Sequence, residues 1–154
     1  MRIVPWLLSL IFPLCGTVGS HGVPAPSPLD LQHLPAASSV SALIAPPGFV
    51  ALPKLIAPVF EVPVQKLDAD LQTVGASQPR TYKLPSPAPD QLAFVERSAV
   101  ANFPDIVQLA AVPVGPGRSS YVLYSHSIYG SYDFGVNLHR VKAWAAAIER
   151  AVDR

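Results

Sequence analysis

YVLYSHSIYGSYDFGVNLHRVKAW, residues 121–144, reads as a strand, a loop with two glycines and the start of an amphipathic helix. From Tyr121 to Ser127 the side chains alternate between two faces, as in a half-buried strand. Beyond the glycines, the apolar residues, Trp144 among them, follow helical spacing and are predicted to face the core. Asn137 is predicted to cap this helix, because its side-chain oxygen can accept a free backbone N–H.

The chain before this stretch predicts one more helix and three more strands. Pro63 can open the helix, whose apolar stripe ends at Gly75. Strands are predicted over residues 80–84, 91–100, 106–114 and 119–127. Short links between the last three favour an antiparallel meander. The predicted fold is therefore α+β, a two-layer sandwich in which an antiparallel sheet of about four strands is flanked by an N-terminal and a C-terminal helix.

Residues 1–20 have the pattern of a secretory signal peptide. Arg2 supplies the charged start, residues 3–14 the apolar segment, and Val18-x-Ser20 a small-residue cleavage site. The apolar run is shorter than the about twenty residues of a membrane helix and contains prolines. We therefore expect an exported protein, periplasmic or secreted. If the segment is not cleaved, residues 3–19 are the alternative membrane anchor.

Residues 21–58 contain eight of the chain's 18 prolines and are predicted to form a Pro/Ala-rich extended linker. Apolar stretches within it, such as residues 49–52, suggest that part of the linker packs on the domain. The folded α+β domain is predicted to span residues 59–154.

Charge and cysteine content exclude several classes of function. The formal net charge of +1 gives no basic surface for nucleic acid. Cys15 is the only cysteine and lies in the leader-like segment, so cleavage would leave a mature protein without disulfides. The four histidines have no metal-ligand spacing. We therefore expect neither a metal nor a cofactor.

Four motifs carry a resemblance to a known family. They are Arg97-Ser98, Phe103-x-Asp105, Ser125-x-Ser127-x-x-Gly130 and Asp133-x-Gly135-x-Asn137-x-x-Arg140. In this order they resemble the family catalogued as domain of unknown function 1499, over residues 60–150. His126 departs from the pattern, because an arginine is common there. The resemblance implies an exported or envelope protein of bacteria and carries no established activity.

The polar motif residues form a candidate site with two interpretations. The residues are Arg97, Ser98, Asp105, Ser125, Ser127, Asp133, Asn137 and Arg140. In the structural interpretation, Asp133 accepts backbone N–H groups of the loop and an arginine anchors the loop through a carboxylate. In the functional interpretation, they form a polar site at one end of the sheet, where Arg97 or Arg140 receives an anionic ligand.

Two functions remain open, together with a third, purely structural role. The first is a non-catalytic exported domain that binds a small or amphipathic ligand, or another envelope protein. The second is a hydrolase that uses Asp105 and Asp133 together with Arg97 and Arg140. Tyrosines of the opening stretch are interpreted as a half-buried aromatic face of the sheet, with a pocket as the alternative: Tyr121, Tyr124, Tyr129 and Tyr132.

Overall fold

A computed structural model describes residues 5–49 and 55–154 of the chain. Arg2, the predicted charged start of the leader, lies outside the described residues, as does most of the apolar stretch 49–52.

A six-stranded sheet forms the centre of the fold. In chain order its strands are β1 (Ser41–Ala45), β2 (Leu55–Ile56), β3 (Thr81–Lys83), β4 (Leu92–Arg97), β5 (Pro104–Gly115) and β6 (Arg118–Ser127). Their spatial order is β2-β1-β6-β5-β4-β3, and neighbours are antiparallel except for the parallel pair β1 and β2. The fold is α+β as predicted, but the four-stranded antiparallel sheet is corrected to a six-stranded mixed one.

The two unpredicted strands lie within residues 21–58, the proline-rich segment. All five residues of β1 are buried, and the strand pairs with β6. A strand buried on both faces shows no alternation of polar and apolar residues, so its periodicity gave no signal. Pro46 and Pro47 follow β1 rather than interrupt it, which leaves its hydrogen bonding intact.

A long hairpin of β5 and β6 brings the motif residues together. Pro116 and Gly117 form the turn between the two strands, and the ladder runs from Gly115 opposite Arg118 to Asp105 opposite Ser127. On the other side of β5, Glu96 of β4 pairs with Asp105. One row of side chains across three strands therefore contains two carboxylates and a serine at the same end of the sheet.

Two longer helices cover one face of this sheet, α2 (Val64–Ser77) and α3 (Val136–Val152); a short helix, α1 (Pro5–Leu8), and a 3₁₀ turn (Pro13–Gly16) lie near the N-terminus. The helices share one core with the sheet, in which Phe94 meets the ring of Trp144 at 5.7 Å. The predicted end of α2 at Gly75 is wrong, because the helix runs on to Ser77. Gly75 is instead a close contact: a Cβ there would lie 2.3 Å from the Phe94 ring.

The opposite face of the sheet is covered by irregular N-terminal chain. Val23 and Leu29 are buried there against residues of the sheet. The side-chain amide of Gln91 donates to the Leu29 carbonyl and accepts from its N–H, both at 2.8 Å. Within the described residues, no helix is long and apolar enough to cross a membrane.

Candidate functional site

Arg140 lies at the centre of a buried polar network between α3 and the sheet. Its Nη2 lies 2.8 Å from Oδ2 of Asp105, and its Nε lies 3.1 Å from Oε1 of Glu96. The Nε contact is an ion pair that lacks the alignment of a hydrogen bond. Nη1 donates to Oδ1 of Asn137 at 2.8 Å and to Oγ of Ser125 at 3.2 Å. The side chain is 4% exposed, so the guanidinium is occupied by the protein itself.

Local structure explains why these groups meet. Glu96 and Asp105 stand directly opposite each other on neighbouring strands, an arrangement that is unfavourable for two like charges. Arg140 contacts both carboxylates and offsets their repulsion. Asn137 and Arg140 are three residues apart on α3, so they project from the same face of the helix toward the sheet.

Asn137 joins the loop, the helix, β6 and the residue before β1 through one amide. Its Oδ1 accepts a 2.6 Å bond from the Ser125 hydroxyl. Its Nδ2 lies within hydrogen-bond distance of Oδ2 of Asp133, Oγ of Ser127 and the Val40 carbonyl. Since α3 begins at Val136, the prediction that Asn137 is the N-cap is wrong. It is a fully buried connector instead.

Asp133 accepts the backbone N–H groups at the entry to α3. Oδ1 accepts from Gly135 N at 2.8 Å, and Oδ2 accepts from Asn137 N at 3.2 Å. Partial burial opposes ionisation, but the bonds from Asn137 and Gly135 outweigh it, so the pKa of Asp133 lies below its ordinary value. This is the bonding that the structural interpretation predicted for Asp133.

Asp105 is a buried carboxyl of this network, and its pKa is raised. Burial raises the pKa of Asp105. The nearby charge of Arg140 and a hydrogen bond with Ser127 lower it, but burial is the larger effect. The side chain is 6% exposed and borders a cavity.

The structure does not bring Arg97 and Ser98 into this network. Along β4, Glu96 points to the helix side, whereas Arg97 points to the side covered by the N-terminal chain. Ser98 closes a turn, because its Oγ accepts the Phe103 N–H at 2.9 Å. The candidate set therefore divides between the two faces of the sheet.

Glu96 is the network member that sequence reasoning missed. Its Oε2 accepts the indole N–H of Trp144 at 2.8 Å, while Oε1 faces Arg140. A signal was present, since strand alternation places Glu96 and not Arg97 on the side of the sheet that faces the helices. Trp144 is 1% exposed, as its helical spacing predicted.

Beside this network lies a cavity of about 280 Å³, which we call the aromatic pocket. The rings that line it are Phe12, Phe103, Tyr129, Tyr132 and Phe134. The polar residues that line it are Ser98, Asp105, Ser127 and Asp133, and each has a hydrogen-bond partner within the protein. The tyrosines were interpreted as an aromatic face of the sheet, with a pocket as the alternative. Tyr129 and Tyr132 line the pocket, whereas Tyr121 is fully buried in the core.

Phe134 stands out at the rim of the aromatic pocket. Its ring is 86% exposed and meets the ring of Tyr132 edge-on at 5.1 Å. Its φ of +56° is left-handed, a conformation that costs a non-glycine residue about 1 kcal/mol. A second cavity, of about 620 Å³, is also lined by Phe134 and is bordered by Arg80, Glu96 and His139.

Across residues 5–49 and 55–154, no group of three or more His, Cys, Asp or Glu side chains is arranged to hold a metal ion.

The family model described as "Protein of unknown function (DUF1499)" matches residues 32–148. This range includes all eight candidate residues and begins before β1, earlier than the motif resemblance. No curated protein matches the chain.

Proposed function

The chain belongs to the DUF1499 family of proteins of unknown function, and we propose that it is a non-catalytic domain that binds a small amphipathic ligand in the aromatic pocket. The observation that carries this proposal is the contrast between the pocket's apolar and polar groups. Phe134 is held out to solvent in a strained backbone conformation, whereas the polar residues beside it already have partners. Strain of this kind occurs at binding and switch sites.

The size and lining of the aromatic pocket indicate the ligand's shape. Small-molecule sites have volumes of about 300–1,000 Å³ and are lined mainly by apolar and aromatic groups. At about 280 Å³, the pocket suits a short apolar chain or a single ring. A polar end of the ligand would remain at the rim, near the Tyr132 hydroxyl.

Charge near the aromatic pocket favours a neutral or cationic headgroup. Arg140 is opposed by three carboxylates, Glu96, Asp105 and Asp133, which leaves a local excess of negative charge. The anionic ligand of the functional interpretation is therefore disfavoured at Arg140, whose guanidinium is already bonded. Cations also interact favourably with the faces of aromatic rings.

Octyl probes with different headgroups test this proposal. Octyltrimethylammonium, octyl glucoside and octyl sulfate, each below its micelle concentration, are titrated into the ¹⁵N-labelled full chain. We expect amide shifts at Gly130 and Gly135, with the sulfate the weakest ligand. Phe134→Ser should weaken binding about tenfold, because a large exposed ring is lost.

Ile56→Ser is the matched control. Ile56 is also an exposed large apolar residue, but it lies on the edge strand β2 and does not line the aromatic pocket. It should leave the affinity unchanged. Equal weakening by both variants, or shifts spread over the whole surface, would contradict a ligand site at the aromatic pocket.

The hydrolase remains the second candidate because of Asp105. A buried carboxyl with a raised pKa at the edge of a pocket is suited to act as a general acid. Of the other three predicted participants, Arg97 points to the opposite side of the sheet from Asp105, which weakens this alternative. Turnover of nitrophenyl ester, phosphate or glycoside substrates that disappears in Asp105→Asn would favour the hydrolase over the binding domain.

Export is a separate part of the proposal. It rests on the family resemblance and on the leader-like pattern of residues 1–20, which can direct export whether or not the segment is removed afterwards. Cell fractionation of the expressed full-length chain tests it: recovery of the protein outside the cytoplasm is expected, and recovery in the cytoplasmic fraction alone would contradict export.

A further inference from the structure

The side chain of Arg97 makes four hydrogen bonds, and three of them go to residues of the leader-like segment. Nε donates to the Gly19 carbonyl at 2.8 Å, and Nη1 donates to the Leu14 carbonyl at 2.7 Å. Nη2 donates to Oγ1 of Thr17 at 2.7 Å. The fourth bond, from Nη1, reaches the Asn102 carbonyl at 3.1 Å. Arg97 is 2% exposed, so its guanidinium has almost no contact with solvent.

Asn102 holds the same segment from a second direction. Its Nδ2 donates to the carbonyls of Cys15 and Thr17 at 2.8 and 2.9 Å. The residue lies in a turn closed by a 2.9 Å bond from Ser98 N to the Phe103 carbonyl, and its φ is +57°. Asn tolerates this left-handed conformation better than most residues.

Apolar contacts and one more hydrogen bond complete the attachment. Phe12 packs against Phe103 and Tyr129, with ring centres 5.2 and 5.1 Å apart. The Leu14 N–H donates to the Tyr129 hydroxyl at 3.1 Å. Cys15 is fully buried.

We propose that Arg97, Asn102 and Tyr129 form a binding site for the main chain of an apolar turn, and that its occupant is this chain's own residues 12–19. The leader-like segment is then a docked arm of the folded domain, and not a peptide removed after Ser20. Four of the bonds to this arm go to its backbone carbonyls, so the site fits many sequences, including one with the composition of a leader.

The arm has a consequence for the aromatic pocket, and this step rests on the proposed function. Phe12 belongs to the arm and lines the pocket beside Phe103 and Tyr129. Docking of the arm therefore completes one wall, and its release would open the pocket to solvent.

The single cysteine provides a direct reading of arm docking in the full chain. The labelling rate of Cys15 by Ellman's reagent is measured in buffer and in denaturant, and the intact mass is determined. We expect an unprocessed mass and labelling at least about a hundredfold slower in buffer, because a buried thiol reacts only after opening. A purified chain that begins at His21, or a labelling rate equal to that in denaturant, would overturn the proposal.

Two variants assign the protection to the site. Asn102→Gly keeps the left-handed turn and removes both side-chain bonds to the arm, and Thr17→Val removes the hydroxyl that Arg97 contacts. Each should speed labelling about tenfold while the near-UV circular dichroism of Trp144 stays native. Arg118→Gln, in an exposed pair with Glu61, is the control and should not change the rate.

Unchanged labelling in both variants would refute the assignment to Arg97 and Asn102. Protected Cys15 in a protein that binds none of the octyl probes would support the docked arm and contradict only the ligand proposal.

Discussion

At position 133 a single carboxylate orders the loop that leads into α3. Asp133 accepts two backbone N–H groups and one side-chain N–H, from Gly135 and Asn137. Replacement by alanine leaves these donors without their partner. We expect Asp133→Ala to lower the free energy of unfolding by about 1–2 kcal/mol, as measured by urea denaturation at neutral pH.

Asp68→Ala is the control for this residue. Asp68 accepts an exposed hydrogen bond from the side chain of Gln72 on the same helix, so its removal should change stability by less than about 0.5 kcal/mol. Equal unfolding curves for Asp133→Ala and the unmodified protein would show that the loop does not depend on this carboxylate.

At the scale of elements, the packing of α2 on the sheet depends on the absence of a side chain at residue 75. An added Cβ would lie 2.3 Å from Cζ of Phe94, whose ring is buried against Trp144. Alanine favours a helix interior by about 1 kcal/mol over glycine, but overpacking of a core costs about 1–3 kcal/mol. We expect Gly75→Ala to lower the melting temperature despite the better helix propensity.

Two further variants identify the cause. Thr73→Ala lies on the exposed side of the same helix and should leave the melting temperature nearly unchanged. Phe94→Leu should reduce the additional loss caused by Gly75→Ala, since the clashing ring atoms are gone. A more stable Gly75→Ala protein would mean that α2 shifts without cost.

At the scale of the whole molecule, His126 makes stability depend on pH. Burial lowers the pKa of His126. A main-chain hydrogen bond at Ser127 and the charge of Asp105 raise it, but burial is the larger effect. The unfolded chain, with a histidine pKa of about 6.5, then binds this proton more tightly than the folded protein does. The free energy of unfolding should therefore fall as pH drops from about 6.5 through the folded pKa.

Urea denaturation of His126→Gln from pH 5 to pH 8 tests this dependence. The variant should lose stability less steeply than the unmodified protein below pH 6.5, whereas His139→Gln, at an exposed position, should follow the unmodified protein. Asp105 affects stability in the opposite direction. Its raised pKa stabilises the folded protein in acid, and this stabilisation is lost as pH rises through the pKa of Asp105 in the folded protein. Parallel curves for His126→Gln and the unmodified protein would contradict the assignment to His126.

The local pattern of the chain was sufficient for two helices and four of the six strands, but not for β1 and β2. The strand-to-helix change in residues 121–144, the β5–β6 hairpin and the helix after Pro63 all follow from periodicity and turn chemistry, which act between residues near in sequence. The family resemblance also rests on such local motifs, and the family match confirms it.

Tertiary structure alone decided which of these residues meet. Arg97 and Arg140 both lie in the family motifs, yet they occupy opposite sides of the sheet. Glu96 joined the network because β4 pairs with β5, and β1 joined the sheet because β6 offered an open edge. Periodicity assigns a side chain to a face, but its partners depend on how distant segments pair and pack, and no local pattern records that choice.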